Sequence, residues 1–143
     1  MRGFTTIELV VVIVVMSILA ALAIPRLADR SAVQERGARD QLRGMLHHVR
    51  KLAITQQREV CVLATPAQAS AVYVAAGACN PAQPVTDPGG AGAYRIAMPT
   101  GVALGGAALV RFNSRGQLVP AADQTLTVGG FALTVSRETG LAL

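Results

Sequence analysis

Glu8 is the residue whose chemistry most needs a purpose. It is the one charged side chain between Phe4 and Ile24, a stretch that is otherwise almost entirely apolar. A carboxylate inside an apolar span costs about 2.5–3.5 kcal/mol on insertion scales, and such residues usually have a partner and a function. The other reactive side chains do not converge. His47 and His48 are adjacent, so on a helix they point about 100° apart and cannot share one metal ion; they read as ordinary surface or groove residues. Cys61 and Cys79 stand eighteen residues apart with no nearby histidine, a poor zinc site. They suffice for one disulfide in an oxidising compartment, the alternative being two buried apolar thiols. Gly89-Gly90 lacks a following Gly-Lys-Ser/Thr, so it is no phosphate cradle. Scattered hydroxyls and one histidine pair give no nucleophile, base and orienting group together. The reading is of a protein that is not an enzyme and uses no cofactor and no metal.

The element that carries Glu8 comes next. A helix from Phe4 to Ile24, at about 1.5 Å per residue, covers roughly 30 Å and matches a bilayer core. An ordinary secretory leader is the competing reading, with Ala21-Leu22-Ala23 as its small-x-small cleavage site. Against it stand the carboxylate near the start of the apolar run, Arg2 as the only basic residue before it, and the lack of a polar break after Ala23. A cut between Gly3 and Phe4 would instead create an ammonium about one helical turn before Glu8, an electrostatic partner within one helix or between neighbours.

Arg2-Gly3-Phe4-Thr5-Thr6-Ile7-Glu8-Leu9 followed by an apolar run resembles the class III, or prepilin, signal of type IV pilins and pseudopilins. The resemblance implies cleavage after Gly3, N-methylation of the new terminal Phe4, and a role for Glu8 in assembly. It implies as partners a prepilin peptidase, other pilins or pseudopilins in a filament, an inner-membrane assembly platform and the membrane itself. The implied location is single-pass in a bacterial inner membrane with the carboxyl domain periplasmic, then in a pilus or pseudopilus. Pro25 fits as a helix kink near the end of the apolar stretch, or else as a simple helix boundary. Counting basic residues alone points the other way, because Arg26, Arg30, Arg36, Arg39 and Arg43 follow the span and would keep that side cytoplasmic.

Beyond Pro25, Leu42, Met45, Leu46, Val49, Leu52 and Ala53 recur in steps of three and four, the mark of an amphipathic helix whose apolar face packs on a sheet. Its other face carries Arg36, Arg39, Arg43, Arg50, Lys51 and Arg58 with Glu35, Asp40 and Glu59 interspersed, the pattern of a solvated surface. Subunit contact and nucleic-acid binding are the alternatives. Gly37 and Gly44 weaken this helix by about 1 kcal/mol each relative to Ala, and allow a bend or a close neighbour.

After Gln57 the texture changes to short alternating runs broken by Gly, Pro, Asn and Asp. Strands are expected near Glu59–Ala64, Ala71–Ala76, Tyr94–Met98, Ala108–Phe112, Gln117–Val119, Thr125–Val128 and Phe131–Ser136, the last two joined by a Gly129-Gly130 hairpin turn. Residues 77–92, with Pro81, Pro84 and Pro88, read as a long irregular loop. Within Arg111-Phe112-Asn113-Ser114-Arg115-Gly116-Gln117-Leu118, a tight turn uses Gly116 for a positive φ. Together with Thr134-Val135-Ser136-Arg137-Glu138-Thr139-Gly140, this segment is similar to the carboxyl domain of the GspH/FimT pseudopilin family, with a mannose-sensitive haemagglutinin minor pilin as one form of it.

Some FimT-like minor pilins bind DNA through a Gly-Arg-x-Arg pattern near the carboxyl end, which this sequence lacks. Arg111, Arg115 and Arg137 are the remaining candidates for phosphate contacts. The net charge of +5 suits an acidic partner, but 3% aromatic residues and no Trp leave few platforms for stacking bases. The expected fold is therefore α+β: a long N-terminal helix, transmembrane then amphipathic, packed on a small antiparallel sheet. The segments are a leader at 1–3, a transmembrane and assembly helix at 4–25, an amphipathic helix at 26–57 and a β domain at 58–143.

Overall fold

The structure, a computed structural model, describes residues 5–28, 30–90 and 92–143, without the side chains of 21–30. Gly3 and Phe4, and with them the expected leader, cleavage site and methylation site, lie outside the described residues. The chain divides into two compact units, Met1–Val33 and Gln34–Leu143.

The first unit is built on α1, Thr6–Ala28. Thr5 opens it, because its Oγ1 accepts from the Glu8 backbone N–H at 3.3 Å while the Glu8 carboxylate accepts from the Thr5 N–H at 3.2 Å. This reciprocal pair is a capping box, which satisfies two donors that a helix start otherwise leaves without partners. The helix continues through Pro25 to Ala28, so Pro25 is not its boundary; the expected kink rests on a side chain outside those described. Among the described residues no helix is long and apolar enough to cross a membrane. The described side chains of α1 end at Ala20, whereas the expected span at 4–25 runs five residues further.

The second unit combines α2 (Arg30–Gln56) from Gln34 onward with eight strands. The strands are β1 (Val60–Thr65), β2 (Gln68–Ala75), β3 (Ala78–Pro84), β4 (Arg95–Ala97), β5 (Leu104–Gly106), β6 (Leu109–Phe112), β7 (Gln124–Val128) and β8 (Phe131–Val135). One antiparallel sheet runs β3-β2-β1-β6, with β4 also paired to β2, and a second runs β5-β7-β8. Ala38, Leu42, Met45, Leu46, Val49 and Ala53 form the stripe of α2 that is buried in the core, and Leu52 is half-buried beside it. That stripe meets Val60, Val62, Val110, Phe112, Leu126, Leu133 and Val135 in one apolar core. Each such large side chain contributes about 1.5–3 kcal/mol on burial, so α2 is held by packing rather than by propensity. It stops at Gln57, whose φ of 52° lets the Arg58 N–H reach the Ala53 carbonyl at 3.2 Å and the Gln57 N–H reach Ile54 at 3.4 Å, a Schellman closure.

The Gly129-Gly130 turn joins β7 and β8 with Val128 opposite Phe131, as the sequence indicates. Three expectations change. Residues 77–92 are not wholly irregular, since Ala78–Pro84 forms β3 against β2. Its prolines are tolerated because β3 is an edge strand and its pairing is broken by a register shift between Val72 and Val74. Gln117–Val119 is not a strand; only Leu118 bridges to Phe112, and the Leu118 N–H turns to the Arg137 carbonyl at 3.3 Å. Finally, β5 is a strand that no alternation announced, since it reads Leu-Gly-Gly.

Candidate functional site

The surface of α1 is the most unusual feature of the molecule. Ile7, Leu9 to Met16, Ile18 and Leu19 are all exposed, from 47% at Val15 to 72% at Ile7, so apolar side chains face outward on every side of the helix. A helix that is apolar all round belongs inside a packed bundle or a membrane. Its one internal hydroxyl is satisfied locally, with Ser17 Oγ donating to the Ile13 carbonyl at 2.8 Å. The only charge on the described run, the Glu8 carboxylate, accepts from both the Thr5 N–H and Thr5 Oγ1 at 3.2 Å. The sequence carried that signal as Thr-x-x-Glu ahead of an apolar run, and Thr5 was missed as the residue positioning Glu8.

On the second unit, Cys61 on β1 and Cys79 on β3 are joined by a disulfide, with Cα atoms 5.9 Å apart. Cys61 is fully buried. Beside it Arg111 on β6 is committed to intramolecular contacts: its Nη2 pairs with the Glu59 carboxylate and its Nη1 donates to the Gly77 carbonyl at 2.9 Å. It is therefore not free for phosphate. Arg137 has Glu138 at 3.7 Å, and both are exposed. Arg115 is exposed in the Asn113–Gly116 turn, where Asn113 Oδ1 accepts from the Arg115 and Gln117 N–H groups at 2.9 Å each. Asn113, Leu118, Val119, Arg137 and Glu138 line an open cleft of about 510 Å³. Arg111 is thus held in intramolecular contacts, whereas Arg115 and Arg137 are exposed.

The outer face of α2 is partly engaged with the sheet unit: Arg50 Nε donates to the Gly116 carbonyl at 3.2 Å, and Arg39 lies 5.9 Å from the Phe131 ring centroid. Just past the helix end, Arg58 is exposed and stacks 4.4 Å from the Tyr73 ring centroid. Glu35 accepts from the Gly130 N–H at 3.3 Å. Arg36, Arg43 and Lys51 remain exposed. His48 packs edge-on against Tyr94 with ring centroids 5.6 Å apart, which gives it a packing role. Burial first, and the nearby Asp87 carboxylate second, push the Tyr94 phenol above its ordinary pKa. Among the described residues no three His, Cys, Asp or Glu side chains gather as a metal site.

No protein-family model matches the chain, and no curated protein does. Two crystal structures of the type IV minor pilin FimU of Pseudomonas aeruginosa match its fold. One has a TM-score of 0.59 at 17% identity, covering 76% of this chain and 87% of FimU. The other has a TM-score of 0.57 at 20% identity, covering 76% and 90%. An N-terminal apolar helix, a second helix packed on antiparallel sheet, and this likeness together give the chain a type IV minor pilin-like fold.

Proposed function

We propose that this chain is a filament subunit, a minor pilin of a type IV pilus or a pseudopilin of a type II secretion system, and not an enzyme. The observation that carries the reading is the apolar surface of α1, exposed all round and opened by a single carboxylate. Thr5 to Ala20 covers about 24 Å at helical rise, and the apolar sequence continues to Ile24. In this reading the helix holds the chain in the inner membrane until it is packed against the helices of neighbouring subunits.

A prepilin peptidase cuts between Gly3 and Phe4 and Phe4 is N-methylated, which leaves an ammonium beside Glu8. The charge pair sets register as the subunit leaves the assembly platform, and Pro25 supplies local give in the helix. The β domain is periplasmic, a compartment that suits the Cys61–Cys79 bridge. DNA binding is the weaker alternative, because Arg111 is already paired with Glu59.

Intact mass and N-terminal sequencing of the chain from native membranes test this reading. An N-methylated Phe4 start is expected, and an Ile24 start overturns it in favour of a cleaved secreted domain.

A further inference from the structure

A second pocket, of about 240 Å³, sits on the sheet where β3 gives way to β4 along the same edge of β2. The register fixes its walls: Val72 lies opposite Pro84 of β3, and Ser70 lies opposite Arg95 of β4 and Leu63 of β1. Leu63, Val72, Pro81 and Pro84 give it an apolar lining, while Thr65, Gln68, Ser70 and Arg95 supply the polar groups. The Thr65 hydroxyl is already spent on the Gln68 carbonyl at 3.0 Å. Among the described residues no carboxylate pairs with Arg95, in contrast to Arg111 and Arg137. A planar guanidinium donates in a fork that matches a carboxylate. The volume is below that of a drug-sized site and suits a single side chain or its equivalent.

We propose that this pocket binds a carboxylate carried on a short apolar stem, with the stem against Val72 and Pro84 and the carboxylate on Arg95 and Ser70. The source to which the chemistry commits is a glutamate side chain beside an apolar residue in a partner protein. A free short-chain carboxylic acid offers the same groups. The pocket lies wholly within Gln34–Leu143, so it does not depend on the assembly role of α1.

The test is nuclear magnetic resonance titration of the full-length, isotopically labelled chain in detergent, with three probes. These are 4-methylpentanoate, its neutral amide, and the peptide acetyl-Leu-Glu-Leu-amide. The acid and the peptide are expected to shift the Ser70, Val72 and Arg95 resonances saturably, with the neutral amide at least threefold weaker. Arg95→Gln is expected to reduce the acid to the affinity of its amide; Arg95 is exposed and makes no ion pair among the described residues, so the variant should keep its fold, and the unchanged spectrum elsewhere checks this. Tighter binding of the peptide identifies a partner chain, and tighter binding of the free acid identifies a small metabolite. Equal binding of acid and neutral amide, or full affinity in Arg95→Gln, overturns the proposal. An Ile24 start of the native chain would sink the filament reading and still leave this pocket testable, because the pocket lies wholly within Gln34–Leu143.

Discussion

Arg50 on α2 and Gly116 in the turn after β6 are linked by a hydrogen bond of 3.2 Å from Nε to the carbonyl oxygen, across 66 residues of sequence. The stem of the same arginine lies beside Gly116 and Gly140, so one side chain fastens the helix to two turns. Arg50→Ala is expected to lower stability by about 1–2 kcal/mol, through the lost bond and the lost packing of the stem. Arg50→Met, which keeps the stem, should lose about half as much. Urea unfolding of both variants separates the two contributions.

Gly140 and Gly44 should respond oppositely to the same substitution. Gly140 has φ +63°, and a Cβ there would collide with the Gly116 carbonyl oxygen, a backbone atom that cannot swing away. Gly140→Ala is expected to cost about 2 kcal/mol or more. Gly44 lies in α2, where an added methyl would meet nothing within 4 Å, so Gly44→Ala should stabilise the isolated chain by about 0.5–1 kcal/mol. Thermal unfolding of each variant reads both signs.

Tyr94 gives stability a dependence on alkaline pH. Its folded pKa is raised above 10.0 by burial and by Asp87, so the folded state keeps a phenol proton that the unfolded chain releases first. The contribution is fully present below the unfolded pKa and is lost as pH rises from there through the folded value. Tyr94→Phe should flatten that slope. Denaturant midpoints measured across the alkaline range would show no difference between the two proteins if Tyr94 were not the source.

Glu8 carries a cap and a charge, and two substitutions separate them. Glu8→Gln keeps a capping-box residue, whereas Glu8→Ala loses both functions. If the charge drives assembly, both variants should enter sheared filaments at least tenfold less than wild type, with the Gln34–Leu143 unit folded normally. Wild-type incorporation of Glu8→Gln would reduce the residue to a helix cap.

The sequence made legible whatever depends on local periodicity. The three- and four-residue steps from Leu42 to Ala53 place the buried face of α2, and Gly129-Gly130 between alternating runs marks the β7–β8 hairpin. It failed where long-range context prevails over local preference. Pro81 and Pro84 argue against a strand, yet β3 forms because only one of its edges is paired. Leu104-Gly105-Gly106 has no strand signal, and its pairing with Leu126 to Val128 is supplied by the neighbouring hairpin. In the candidate site, Glu8 stood out by charge alone. The contacts of Arg39, Arg50 and Arg58 are not legible in the sequence because Phe131, Gly116 and Tyr73 are remote in it.

The link between Cys61 and Cys79 also decides what a peptidase can achieve. The exposed β1–β2 turn at Thr65-Pro66-Ala67-Gln68 lies inside the covalent ring that the bridge closes, so a nick there leaves both fragments attached. The exposed Pro88-Gly89-Gly90 tip lies outside that ring, and a nick there leaves only non-covalent contacts to hold the pieces together. The first turn is thus protected from proteolytic disassembly, and the second is where a cut would matter.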